Sequence, residues 1–345
     1  MKNIVRVLLA VLMLTVLSLT VVSAQDVDRT GWPETFIIGV YPGDNIEEAL
    51  AAVQPLADYL TEELGVYTTV ITGTSYASVI EAMRAGRADA MEVGPFSYLL
   101  AVEVANAEAI AVANYETEVD LNEVPGYYSV MFTKKGSGIT SIADLEGRSF
   151  SFTDPASTSG YLVPATDILL AQGFDDPAQI EEFLGEVVFA GNHPSSVTSV
   201  WTDAVEAGAT FDANLVAQIE EAGVEVCGYN ADGATPEEQW PYFSALTAEE
   251  IAEIYDACED GNLVVFHQSP LIPETPFAIR ADLPQSFKDA VTEALLAVAD
   301  DQELVDALER YYVDPSEAAG VDSIDALYNS LRDIATLLDI DLRAR

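Results

Sequence analysis

This 345-residue chain is short of basic side chains: 14 Lys and Arg stand against 58 Asp and Glu, a formal net charge of −44 at pH 7. Such a surface repels nucleic acid and anionic lipid, which excludes both as partners. Histidine and cysteine are equally sparse, with two of each (His193, His267, Cys227 and Cys258). No two of these four stand at metal-ligand spacing, so no metal is expected, and no cofactor. The G-x-S-x-G elbow of serine hydrolases is absent. Beyond the first 24 residues there is no apolar run long enough to cross a bilayer.

Those first residues, MKNIVRVLLAVLMLTVLSLTVVSA, carry Lys2 and Arg6, then an apolar stretch, then Val22-Ser23-Ala24. A basic start, an apolar middle and small residues at the end mark a secretory signal peptide, with cleavage expected after Ala24; a retained membrane anchor is the alternative. No cysteine follows the cleavage point for lipid attachment. Removing Lys2 and Arg6 leaves 12 − 58 = −46 for the mature chain, which is expected outside the cytoplasm. In that compartment the even pair Cys227 and Cys258 reads as a disulfide, closing a loop of about 30 residues worth roughly 3–4 kcal/mol. It brackets an acidic, turn-rich excursion over residues 227–260.

Hydrophobic residues make up 50% of the sequence, enough for a core. Strand-like segments at 35–43, 66–73 and 89–95 alternate with helical ones at 45–65, 75–88 and 96–106. This rhythm argues for an α/β domain with a mostly parallel sheet. It restarts with strands at 127–138, 148–155, 185–192 and 209–212 and helices between them, and residues 262–280 return as extended structure. The tail from Pro284 to Arg345 reads as almost entirely helical. Two α/β halves of this kind predict two lobes with a cleft between them.

One stretch carries the chemistry: DPASTSGYLVP, residues 154–164. It follows a strand and opens a helix. The first N–H groups of a helix have no internal partner and lie at the positive end of its dipole, so an oxyanion placed there collects hydrogen bonds. Ser157, Thr158 and Ser159 add hydroxyls, and Gly160, without a Cβ, lets a ligand approach the backbone. The same residues also suit an ordinary Ser/Thr N-cap, and the local pattern weighs the two readings evenly. Pro164, several residues into the helix, is expected to kink it.

DPASTSGYLVP resembles the signature of the phosphonate- and phosphite-binding proteins of ABC importers. In the same order, SYASVIEAMRAGRADA (75–90), VGPFSYLLA (93–101), VPGYYSVMFTKKGSGI (124–139), FAGNHPSSVTSVWTDAVEAGATFD (189–212) and SPLIPETPFAIR (269–280) are similar to that family's other segments, and together they cover most of residues 36–285. The resemblance implies a type II periplasmic binding-protein fold, with lobe 1 formed by 35–123 plus 277–345 and lobe 2 by 124–276. Two hinge strands near 122–128 and 268–277 would join them. It implies that Ser157, Thr158, Ser159 and Gly160 hold the anion. Tyr76 would donate from the opposite lobe, and a partly protonated His193 would add positive charge. Tyr128 either lines the pocket or packs the hinge. Aminophosphonate binders of the family use further carboxylates; the aligned positions are Ala213 and Thr275, with Asp212 and Glu274 one residue away. With Val93 in place of an aromatic, this points to a small ligand with an uncharged tail, and Asp212 stays a candidate. The implied function is a monomeric solute-binding protein, not an enzyme, that delivers a small phosphorus oxyanion (phosphite, phosphonate or phosphate) to a permease. The alternatives are a serine hydrolase using Ser157 and His193, and a sensor partner of the same fold.

Overall fold

A computed structural model describes residues 28–41, 46–115 and 124–343. The expected signal peptide, the Pro42-Gly43 turn and hinge residues 122–123 lie outside these. By its contacts the chain divides into Met1–Thr30 and Gly31–Arg345. In the first unit the Thr30 N–H donates to Asp28 Oδ1.

The described residues of the second unit carry thirteen strands: β1 Thr35–Val40, β2 Tyr67–Thr72, β3 Ala90–Glu92, β4 Ala107–Tyr115, β5 Gly126–Tyr127, β6 Ser129–Lys134, β7 Ser149–Phe152, β8 Glu186–Phe189, β9 Ala207–Phe211, β10 Leu263–Gln268, β11 Ile272–Pro273, β12 Pro276–Arg280 and β13 Arg310–Val313. They form a six-stranded sheet, β13-β4-β12-β3-β1-β2, and a five-stranded sheet, β10-β6-β9-β7-β8. β5 and β11 pair antiparallel where the chain passes between the sheets. Each sheet with its helices makes one lobe.

In the first sheet β1 runs parallel to β2 and β3, while β12 is antiparallel to β3 and β4, and β13 antiparallel to β4. The C-terminal ends of β1, β3 and β4 therefore share one edge with the N-terminal ends of β12 and β13. Ligands in α/β sheets collect at such carboxyl ends. The helices that matter are α1 Ile46–Leu64, α2 Tyr76–Arg84, α3 Pro95–Ala105, α4 Val163–Gln172, α5 His193–Trp201, α6 Asp212–Ala222 and α7 Ala248–Ala257. α1 buries Leu56 and Leu60 against Phe36, Ile38 and Phe277 of the sheet. Ser75 caps α2 through a reciprocal pair with Ser78, a local signal that fixes where the helix starts.

Three features depart from the sequence expectations. The tail is not all helix, because Arg310–Val313 pairs with β4 as the edge strand of the first sheet. β4 itself was not expected, since its run AEAIAVANY alternates too weakly to signal a strand. Pro164 does not kink a helix interior. A π-helical turn, Thr158–Leu162, precedes α4, and Pro164 falls in the first turn of α4, where its missing N–H costs little. Cys227 and Cys258 are joined in a disulfide at the end of α7.

Candidate anion-binding cleft

β7 ends in a turn that Asp154 organises: its carboxylate accepts the Ala156 N–H (2.8 Å) and its carbonyl accepts the Ser157 N–H (2.9 Å). That leaves Ser157 as N-cap of the helical run from Thr158 to Gln172, its Oγ accepting the Gly160 N–H at 3.1 Å. Ser157, Thr158 and Ser159 are all almost fully buried and line a cavity of about 330 Å³ between the lobes. The same serine is thus both cap and cavity wall. Lobe 1 brings the N-terminus of α3 to the same point. Its Phe96 N–H donates to Thr158 Oγ1 (2.9 Å) and its Ser97 Oγ donates to the Ala156 carbonyl (2.8 Å). Gly94, at φ +131°, turns β3 into α3 at a backbone angle that L side chains rarely adopt.

Tyr76, at the start of α2, is buried, packs its ring 4.9 Å from that of Tyr41 and lines the cavity with Ser157, so a lobe-1 phenol meets the lobe-2 turn. His193 opens α5, capped by Asn192, and its N–H donates to the Tyr41 hydroxyl at 3.2 Å. The ring lies between hydroxyls: Nε2 is 3.3 Å from Ser157 Oγ, and Nδ1 is 3.0 Å from Thr210 Oγ1 and 3.3 Å from Thr153 Oγ1. Thr210 Oγ1 also accepts from Asn214 Nδ2 at 3.0 Å. Both ring nitrogens thus face hydroxyls, with Nε2 on the side of Ser157 and Nδ1 on the side of the two threonines.

The expectation of a partly charged histidine is corrected: burial lowers the His193 pKa to about 3, and the ring is neutral. An anion bound beside it would pull the other way. Three further expected residues stand behind the cavity wall. Gly160 gives its N–H to Ser157, and a Cβ there would point at Thr153, not at a ligand. Asp212 is buried at the head of α6, where its carboxylate accepts the Tyr128 and Ala213 N–H groups at 3.2 and 2.9 Å. Burial raises its pKa to about 8. Tyr128 is buried at the hinge, and its neighbour Tyr127 is the one that lines the cavity. Ala213 and Thr275 line it as aligned, but so does the carboxylate-bearing Glu274.

The far end of the cavity was not legible in the sequence. Glu92, Tyr115 and Arg310 line it from the ends of β3 and β4 and the start of β13. Arg310 Nε lies 3.2 Å from Glu92 Oε1, and Tyr312 donates its hydroxyl to Glu92 Oε2 at 2.7 Å. The only advance signal was the strand-prone RYYV run. Among the described residues no cluster of His, Cys, Asp and Glu could hold a metal ion. No described helix is long and apolar enough to cross a membrane.

Residues 38–323 match the family described as ABC transporter, phosphonate, periplasmic substrate-binding protein. The chain belongs to this family. It is 30% identical over 193 residues to the phosphate-import protein PhnD of Mycolicibacterium smegmatis, and 28% identical over 260 residues to the phosphonates-binding periplasmic protein of Escherichia coli. Those alignments cover 54% and 74% of this chain and 58% and 64% of the relatives, so the chain spans less than two thirds of either. In structure it is similar to PhnD1 of Prochlorococcus marinus, solved with methylphosphonate, at TM-score 0.64 and 16% identity, over 89% of this chain and 99% of that one. A binding-protein component of a phosphonate ABC transporter from Pseudomonas aeruginosa superposes at TM-score 0.61 and 18% identity, over 88% of this chain and 95% of that one. The fold is the type II periplasmic binding-protein fold.

Proposed function

We propose that the protein captures a phosphorus oxyanion (a phosphonate, phosphite or phosphate) between its lobes outside the cytoplasm and hands it, as a monomer, to an ABC permease. Residues 1–24 are its removable signal. The observation that carries this reading is the buried Ser157-Thr158-Ser159 turn, which presents helix-start N–H groups and hydroxyls to a cleft that Tyr76, His193 and α3 face from other elements. In so acidic a protein these local donors, not a basic field, hold the anion. Contacts across the cleft from Phe96, Ser97 and His193 support lobe closure as the binding step.

Binding takes place without covalent chemistry. Ser157 and His193 are adjacent, but a ring with its pKa lowered to about 3 is a poor general base near neutral pH. Its Nδ1 faces two threonine hydroxyls and not a carboxylate. The test is calorimetry of the mature chain with phosphite, methylphosphonate, phosphate and sulfate. Saturable binding of a phosphorus species is expected, and no binding to any of them would refute the proposal.

A further inference from the structure

The cavity is larger than a bare oxyanion needs: about 330 Å³ lies within the range of small-molecule pockets, about 300–1,000 Å³. The end away from Ser157 is lined by polar side chains whose hydrogen bonds can be counted. Arg310 is 6% exposed. Its Nε donates to the Tyr312 hydroxyl (3.2 Å) and Nη1 to the Leu308 carbonyl (3.5 Å), while Nη2 makes no hydrogen bond with a described residue. Tyr115, cross-strand from Arg310, has its ring centroid 5.6 Å from the guanidinium carbon, and its hydroxyl also lacks a hydrogen-bond partner among the described residues. Burial raises the Tyr115 pKa well above its ordinary value, so the hydroxyl is a donor.

Part of the acceptor capacity at this end is engaged. Glu92 Oε2 takes the Tyr312 hydroxyl and Oε1 faces Arg310, which offsets its charge. Glu274 Oε1 accepts the Thr275 N–H at 2.6 Å. Donors without a hydrogen-bond partner among the described residues thus sit at Arg310 Nη2 and the Tyr115 hydroxyl. A guanidinium edge with an unused N–H is suited to a carboxylate or carbonyl oxygen.

We propose that the Arg310–Tyr115 end of the cleft is a tail subsite, and that the ligand is an organophosphonate whose far end carries an acceptor oxygen, a carboxylate or a carbonyl. This rests on the reading of Ser157–Ser159 as the phosphorus oxyanion cradle. It replaces the expectation of a small uncharged-tail ligand with one that spans the cavity. The tail's hydrogen bonds are charge-assisted and shielded from water by lobe closure, which strengthens them.

The test is calorimetry of the mature chain with methylphosphonate, ethylphosphonate, phosphonoacetate, 2-oxopropylphosphonate and 2-aminoethylphosphonate. Phosphonoacetate or the ketone should bind roughly tenfold to a hundredfold tighter than ethylphosphonate, the effect of one charge-assisted hydrogen bond. Tyr115→Phe, which removes only the hydroxyl, and Arg310→Lys should both shrink that ratio. Methylphosphonate binding with no gain from an acceptor tail overturns the subsite and leaves the proposed function standing. A gain for 2-aminoethylphosphonate alone overturns it in favour of the carboxylates. Equal weakening of methylphosphonate and phosphonoacetate by Arg310→Lys also overturns it, by placing Arg310 in the cradle. Failure of every phosphorus ligand to bind overturns both readings.

Discussion

Gly160→Ala tests how the anion turn is built. Gly160 sits one residue past the three hydroxyls, with its carbonyl accepting the Thr153 N–H at 2.9 Å, so the helical run is drawn tightly onto the end of β7. A Cβ at this position would lie 2.2 Å from Thr153 Oγ1, 2.3 Å from Thr153 Cβ and 2.8 Å from Ser157 Oγ. Thr153 is fully buried, so it has no open space to move into. Overpacking of this kind costs about 1–3 kcal/mol, a fall in Tm on the order of a few degrees for a chain of this size. The added methyl also forces the Ser157 hydroxyl from its place beside His193 Nε2 and Thr153 from His193 Nδ1. Affinity for methylphosphonate should therefore drop by roughly tenfold or more, the effect of losing a hydrogen bond to a charged ligand. Denaturant unfolding followed by calorimetry on the same preparation reads both. A Gly160→Ala protein with parental stability and parental affinity would refute the account of the turn.

Removing the Tyr76 hydroxyl with Tyr76→Phe should weaken phosphorus oxyanion binding about fivefold, the loss of about 1 kcal/mol, read by calorimetry; unchanged affinity would mean that the phenol only packs. His193 and Asp212 make opposite contributions to stability against pH. His193, its pKa lowered to about 3, costs stability as pH falls below its ordinary value, about 2 kcal/mol by pH 5. Asp212, raised to about 8, contributes stability that is complete in acid, below its ordinary value, and is lost as pH rises through 8. Asp212→Asn should therefore gain about 2–3 kcal/mol relative to the parent between pH 5 and pH 7 in denaturant unfolding, and a pH-independent difference would contradict the buried acid. Reduction of Cys227–Cys258 should cost about 3–4 kcal/mol of stability. Oxyanion affinity should stay within about twofold, because neither cysteine lines the cleft.

The anion turn was legible in the sequence because its signals are local. A strand, hydroxyls at the cap and a glycine fall within a dozen consecutive residues, and Ser157 both caps the helical run and lines the cavity. A local signal likewise fits the start of α2 at its Ser75 cap, while the disulfide followed from an even cysteine pair in a chain expected outside the cytoplasm. Local signals could not reveal that Gly160 faces Thr153 or that His193 is neutral, because burial is a property of what packs around a residue. They could not bring Arg310 to Tyr115 either. That contact needs β13 to pair with β4 from the other end of the chain, and four aromatic, basic and aliphatic residues in a helical tail do not announce a sheet edge. The sequence by itself determined the two α/β halves, the acidic surface and the hydroxyl-rich turn proposed to hold an anion. The tertiary structure decided the size of the cleft and the charge state and partners of its walls, because strand ends far apart in the chain become neighbours only when the sheet forms.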